Sequence, residues 1–219
     1  MPEEREIPRI IEMNEDLTRD NEELAERNHK KLKKHNIKSI DVVGSIGSGK
    51  TSIISMIAEK FHTDKKIYVI CGDITTRIDA DRIEAHGAKT IQINTGRECA
   101  LNAYHIDKVI NSLPLPDIEL LIIENVGNLI CPSDFILGVD KRIVIMSVSE
   151  GDHVVIKHPL LVKMSETLII NKIDLVDAMD ADLDRMIKDA KSINPNINVI
   201  PISVKTGENV EKILELFDV

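Results

Sequence analysis

The chain has 219 residues, a net charge of −9 and no tryptophan, with 42% apolar but only 2% aromatic residues. The negative balance argues against a surface built for nucleic acid or anionic membrane, no apolar run reaches the roughly 18 residues of a spanning helix, and MPEEREIPRI does not read as a signal peptide. The expectation is a soluble, cytoplasmic α/β domain with an appendage, its core built from Ile, Leu, Val and Met with the seven methionines as filler, and no disulfide framework from three cysteines.

Residues 1–37 read as an N-terminal helical extension. Apolar Ile7, Ile10, Ile11, Met13, Leu17, Leu24 and Leu32 in a charged background predict one or two amphipathic helices packed on a domain or a partner. His29 and His35 share no helical face and read as solvated. Residues 38–219 then read as one nucleotide-binding domain. It opens with a buried strand, Ile40 to Val43, whose one polar member is Asp41, followed by GSIGSGKTS and the helical TSIISMIAEKF. Gly44, Gly49, Lys50 and Thr51 fit the phosphate-loop pattern G-x-x-x-x-G-K-S/T in the strand–turn–helix setting it requires. Glycines let the backbone turn tightly with its N–H groups inward, and the helix start adds its positive dipole end. Gly47, Ser48, Gly49, Lys50, Thr51 and Ser52 are therefore the phosphate-binding candidates, with Lys50 reaching the terminal phosphates and the Thr51 hydroxyl holding Mg²⁺.

Ile67 to Cys71 is a second strand, and Asp73 after it stands at the ligand edge of a parallel sheet. ITTRIDADRIEAHG begins polar and turns helical; Asp79 or Asp81 could hold Mg²⁺ through water or orient an attacking water, and Asp79 also suits a helix cap. A strand at Thr90 to Ile93 precedes RECALNAYHIDKVINSL, a predicted helix with Cys99 in its first turn, where the dipole favours thiolate. Leu120 to Ile123 is a strand ending at Glu124, the Walker B arrangement, with Gly127 placed to approach a γ-phosphate and Cys131 just beyond. By themselves Cys99 and Cys131 read as small buried residues rather than as ligands.

Arg142 to Val148 is a further strand, and HVVIKHPLLVKMSE is helical, with His158-Pro159 as a helix start. Leu168 to Ile170 runs into Asn171-Lys172-Ile173-Asp174, an N-K-x-D pattern. The Asp174 carboxylate would accept two hydrogen bonds from guanine N1–H and its exocyclic amine; adenine offers no such pair, and the unpaired site rejects it by roughly 10⁴-fold. Asn171 would brace the loop and Lys172 cover the base. DLVDAMDADLDRMIKDAKSINP is a helix and INVIPIS a strand; Ser203, Val204 and Lys205 form a second base-contacting loop, and VEKILELF closes the chain as a helix. The alternation predicts a P-loop NTPase: a mainly parallel sheet with helices on both faces.

GSIGSGKT, the GD and later DADRI, INTGRECALNA, LLIIENVGNLICPSDF, EGD with KHP, and NKIDL together resemble HypB, the nickel-insertion GTPases of nickel–iron hydrogenase maturation, related to UreG. The resemblance spans about residues 20–217. It implies a slow GTPase, cleaving GTP with water to GDP and phosphate, that dimerises with GTP and couples the cycle to nickel delivery. It implies a hydrogenase-maturation partner and the hydrogenase large subunit as partners. It further implies catalytic Lys50, Asp79 and Glu124, magnesium held by Thr51, Asp73, Asp79 and Glu124, and a Ni²⁺ or Zn²⁺ site from Cys99 and Cys131 at the dimer interface. Loops 73–82 and 124–131 would change position. The chain departs from the family where Cys-His-Leu-Asp-Ala-His is usual: it reads Cys99-Ala100-Leu101-Asn102-Ala103-Tyr104, with His105 one place late and off the helical face of Cys99. His153 also stands where an acid is usual. The alternatives are a nucleotide-binding scaffold with an impaired metal site and a UreG-like GTPase chaperone of another metalloenzyme.

Overall fold

β-Branched and aliphatic runs make up a seven-stranded sheet in which every neighbouring pair is parallel. It is seen in a computed structural model that describes residues 13–73, 76–96 and 98–217, residues 13–18 by their backbone alone. The expected apolar positions Ile7, Ile10 and Ile11, and the side chains of Met13 and Leu17, lie outside what is described. In chain order the elements are α1 (Met13–Lys34), β1 (Lys38–Gly44), α2 (Lys50–Phe61), β2 (Ile67–Asp73), α3 (Ile78–Glu84), β3 (Lys89–Asn94), α4 (Ala103–Ile110), β4 (Leu120–Glu124), β5 (Lys141–Ser147), α5 (Val154–Lys157), α6 (Pro159–Lys163), β6 (Thr167–Asn171), α7 (Leu183–Ile193), β7 (Asn198–Pro201) and α8 (Val210–Leu214). The sheet order is β3-β2-β4-β1-β5-β6-β7.

A parallel sheet needs cover on both faces, and the strand residues alternate accordingly. Ile40, Val42, Val69 and Ile122 pack under α2 with Ile53, Ile57 and Phe61. On the other face Val43, Val144 and Leu168 meet Val155, Leu161 and Met186, while Ile70, Leu121 and Ile123 meet Ile106 and Ile110 of α4 and Leu32 of α1. β1 lies between β4 and β5, with Val42 level with Glu124 and Gly44 level with Ile145. Ser147 pairs with Asn171 in the same way. The carboxyl ends of the central strands thus reach one edge together, which is where an open α/β sheet binds its ligand.

Three predicted helices are shorter than their sequence patterns. The helix expected from residue 97 begins at Ala103, because Asn102 caps it: its Oδ1 accepts from His105 N at 3.1 Å, and its own N–H donates to His105 Nδ1 at 3.2 Å. The helix expected over 174–195 shrinks to α7, which starts where the Asp182 carboxylate accepts from Arg185 N at 2.9 Å. HVVIKHPLLVKMSE divides into α5 and α6 at Pro159, which lacks the N–H needed to continue a helix and restricts the residue before it.

α1 is fastened by polar side chains as much as by apolar ones. Asn21 and Asn28, two turns apart, project from one face. Asn21 accepts from Ala103 N at 2.8 Å and donates to Ile136 O at 2.9 Å. Asn28 donates to Ala103 O at 2.9 Å and Leu137 O at 3.2 Å. Gly138, at φ +82°, lets the chain pass close to the helix, since a Cβ there would collide with Ala25 O. Lys33 adds an ion pair to Asp140 at 2.9 Å. Replacing Asn28 by Ala leaves two buried carbonyls without this donor, and is expected to lower stability by about 1–3 kcal/mol. Urea unfolding measures this, and an unchanged midpoint would mean that the clamp holds nothing.

Candidate nucleotide and metal site

The sheet edge opens into a cavity of about 650 Å³ bordered at one end by the phosphate loop and at the other by Asp174 and Lys205. Two strand ends set its floor. At the end of β1, Gly44 O accepts from the ammonium of Lys50, the first residue of α2, at 3.0 Å, and Ser45 O accepts from the same ammonium at 2.9 Å. Burial pulls the Lys50 pKa down, opposed by the charge of Glu124. From β4, the Glu124 Oε1 accepts from Thr51 Oγ1 at 2.6 Å. Its other oxygen, Oε2, is buried without a hydrogen bond. Burial is the main cause that pushes the Glu124 carboxyl up to about 7.

Asp73 and Asp79 line the same cavity. The Asp73 Oδ2 accepts from Thr76 N at 3.2 Å and also from the Thr76 hydroxyl. Asp79 lies in the first turn of α3, whose N-cap is Arg77, so it is not the cap itself. Asp81 instead pairs with Arg77 at 2.7 Å on the helix surface. Among the described residues no three His, Cys, Asp or Glu side chains gather closely enough to hold a metal. The protein therefore supplies a hydroxyl, an open carboxylate oxygen and two more distant carboxylates. That set fits Mg²⁺, a hard cation that keeps waters and substrate phosphates in its shell.

At the far end the two expected base loops meet. Asn171 Nδ2 donates to Ser48 O at 2.8 Å, and its Oδ1 accepts from Lys172 N at 2.8 Å and Val204 N at 3.4 Å. Gly49, at φ +106°, is required here: a Cβ would collide with the Asn171 amide. Lys172 takes the left-handed conformation, φ 63°, and lines the cavity. Asp174 Oδ1 accepts from Ser203 Oγ at 2.6 Å, and Lys205 Nζ lies 3.9 Å from its Oδ2. Gly47, Thr51, Ser52 and Val204 also face this space, while Ser48 is buried and acts through its carbonyl.

Neither Cys99 nor Cys131 lines this cavity. Cys99 is exposed on the turn before α4, so no helix dipole acts on it, and it is not a small buried residue. Cys131 follows the loop after β4. They are joined as a disulfide, with Cα atoms 6.1 Å apart, against the expectation of none. An odd count says nothing of proximity: across a sequence separation of 32 the fold brings both loops together, and Cys71, buried in β2, is the one left free. His105 is engaged by its neighbours: its Nδ1 accepts from Asn102 N, and its Nε2 lies 3.5 Å from Glu98 Oε2. His153 sits 2.5 Å from Asp152, at the surface.

A family profile described as the CobW/HypB/UreG nucleotide-binding domain matches residues 38–201. The chain belongs to this family. Within the CobW/HypB/UreG family, the probable hydrogenase maturation factor HypB of Methanocaldococcus jannaschii is 45% identical over 209 residues, 95% of each chain. The hydrogenase maturation factor HypB of Escherichia coli is 36% identical, with 93% of this chain and 70% of that protein covered. Among solved structures, HypB of Archaeoglobus fulgidus superposes with a TM-score of 0.85 at 40% identity, covering 91% of this chain and 97% of that one. HypB of Helicobacter pylori in complex with nickel gives 0.84 at 32% identity, covering 90% and 93%. The signal recognition particle receptor FtsY of Elizabethkingia anophelis, at 18% identity and 0.55, shares the fold alone.

This CobW/HypB/UreG domain also holds a buried polar group that motif reading passed over. Arg142 Nε donates to Asp41 Oδ2 at 2.8 Å, and Asn125 Nδ2 donates to Asp41 Oδ1 at 3.2 Å. The available signal was a lone acid in one apolar strand and a lone arginine at the head of another, since buried charges come in pairs.

The raised Glu124 pKa makes a pH-dependent expectation. In the unfolded chain this carboxyl has its ordinary value near 4.5, and in the folded protein it is pushed up to about 7. The protonated form is favoured by folding, so its contribution is fully present below the lower value and is lost as pH rises through the upper one. Glu124→Gln should therefore be more stable than wild type at pH 8, by up to about 3 kcal/mol, and the gap should close by pH 5. Urea midpoints of the metal-free proteins across that range provide the check; a gap independent of pH would contradict it.

Proposed function

We propose that this protein is a GTP-hydrolysing metallochaperone of the HypB type, which couples its nucleotide cycle and dimerisation to nickel delivery for hydrogenase maturation. The observation that carries this reading is the placement of Asp174 on the same cavity as Lys50, Thr51 and Glu124. Asp174 is held by Ser203 and offset toward Lys205, which leaves its carboxylate edge for the two N–H donors of guanine. Asn171 positions the phosphate loop and the base loop together, so base and phosphates are gripped at a set separation. The backbone N–H groups at 47–52 receive the phosphate oxygens, and Lys50 exchanges the carbonyls of Gly44 and Ser45 for the terminal phosphates. Thr51 and Glu124 would hold Mg²⁺ directly and Asp73 and Asp79 through its waters, and the ion would supply charge neutralisation at the β- and γ-phosphates. Asp79 orients the attacking water, and Gly127 brings a backbone N–H toward the γ-phosphate.

Nickel is the cargo. An external dithiol can reduce the Cys99–Cys131 bond by thiol–disulfide exchange, giving up two electrons and two protons and leaving as its own disulfide; this yields two thiols per chain, and thiolates are soft donors for Ni²⁺ or Zn²⁺. Two donors do not complete a site, so a second copy supplies the other two. A homodimer with four thiolates suits a tetrahedral or square-planar ion without the histidine that the family usually carries after the first cysteine. A hydrogenase-maturation partner and the hydrogenase large subunit are the expected recipients.

Two measurements test this reading. Asp174→Ala should weaken GTP binding by about 10- to 100-fold, the worth of hydrogen bonds to a charged group, as read by calorimetry; wild-type protein that binds ATP as well as GTP would sink the guanine assignment. Under reducing conditions, a Ni²⁺ titration should saturate near one ion per dimer, and Cys99→Ser should abolish that stoichiometry. An unchanged endpoint in the variant would remove the shared thiolate site.

A further inference from the structure

We propose that Asp41, Arg142 and Asn125 form a positioning network that ties both cysteine-bearing loops to the nucleotide sensor, so that the metal site takes its geometry from the nucleotide state. This rests on the nucleotide and metal reading above and adds the residues that connect the two sites.

Each member of the network touches a different moving part. Asn125 directly follows Glu124; its Oδ1 accepts from Leu101 N at 2.9 Å, two residues beyond Cys99. It accepts from Val126 N at 3.0 Å as well, and its own backbone N–H donates to Val42 O at 2.9 Å. Its amide then donates to the Asp41 carboxylate, which is fully buried in β1. Arg142 closes the group from β5. Beyond its bond to Asp41, Nη1 donates to Pro132 O at 2.8 Å and Nη2 to Phe135 O at 2.7 Å. Pro132 is the residue after Cys131. One buried carboxylate therefore joins the backbone beside Cys99, the backbone beside Cys131 and the residue next to the Walker B acid.

Burying two charges between strands of an otherwise aliphatic sheet is costly, and an apolar pair of similar volume is often as stable or better. The pair gains a purpose from the donors left over on the guanidinium, a rigid planar fork whose other two arms hold loop carbonyls that would otherwise be buried without partners. When the segment from Glu124 to Gly127 shifts with the γ-phosphate, Asn125 shifts with it. That displacement reaches Leu101 directly, and Pro132 and Phe135 through Asp41 and Arg142. Coupling of this kind needs contiguous contacts that both sites bias, and a network tied to both loops provides them.

The discriminating variant is Arg142→Lys. It keeps the positive charge beside Asp41, but one ammonium cannot hold both loop carbonyls as the fork does. The measurement is Ni²⁺ affinity of the reduced full-length chain, once with GDP and once with a non-hydrolysable GTP analogue. In wild type the two affinities should differ by about tenfold or more. In Arg142→Lys the ratio should fall to about twofold or less, with nucleotide affinity in the absence of nickel within about twofold of wild type. By reciprocity, the effect of nickel on nucleotide affinity should shrink by the same factor. A merely structural role would weaken nickel binding equally in both nucleotide states and leave the ratio intact, and that result overturns the proposal. Asp41→Asn/Arg142→Met, which removes both charges together, provides the same comparison if the lysine variant fails to fold. Equal nickel affinities in the two states of wild type would remove the coupling itself. Loss of guanine selectivity or of the thiolate site would instead be the failure of the underlying reading, detected by Asp174→Ala and Cys99→Ser.

Discussion

The side-chain amide of Asn171 is the contact on which the nucleotide end of this molecule depends. It bridges the phosphate loop at Ser48 and the last base loop at Val204, two segments more than 150 residues apart in sequence. The bridge is short because Gly49 has no side chain to block it. The order of strands makes it possible: β1 and β6 flank β5, so their ends come within reach of one side chain. With that distance set during folding, nucleotide binding need not order the two loops afterwards, and the conformational cost of assembling the site falls on the fold rather than on the ligand.

On the other side of β1 the emphasis shifts from grip to transmission. β4 delivers Glu124 to the cavity floor and then, within one loop, passes Asn125, Gly127 and Cys131 across the sheet edge. Asn128 follows β1 through its N–H to Gly44 O at 3.0 Å, while its side chain accepts from Ile130 N at 2.7 Å and donates to Cys131 Sγ at 3.4 Å. Few residues thus separate the phosphate-facing and thiol-facing surfaces. That economy is available because both lie at the carboxyl edge of one parallel sheet.

Much of this was legible in the amino-acid order because it rests on local chemistry. The phosphate loop, the acid that ends β4 and the N-K-x-D segment each stand at the end of a strand and need no knowledge of distant residues; all three reach the same cavity. The strand pattern was likewise readable, since a sheet covered on both faces needs continuous aliphatic runs. What escaped was decided elsewhere. The start of α4 was misplaced by the reciprocal cap of Asn102 and His105, a competition between side-chain and backbone hydrogen bonds that apolar spacing does not register. The joining of Cys99 and Cys131 depends on how two loops cross. The roles of Asn21, Asn28 and Arg142 are fixed by backbone groups far away in sequence, for which a single chain offers no pattern.

α1 has a consequence for how the cysteine face can open. Its two asparagines hold Ala103, at the start of α4, and residues 136 and 137, on the loop before β5, so the same helix spans both cysteine-bearing segments from outside the sheet. It contributes no strand, and detaching it leaves every ladder of the sheet intact. Such an element can undock as a sub-global unit at a fraction of the global unfolding free energy. Its departure would release both loops in a single event rather than one at a time.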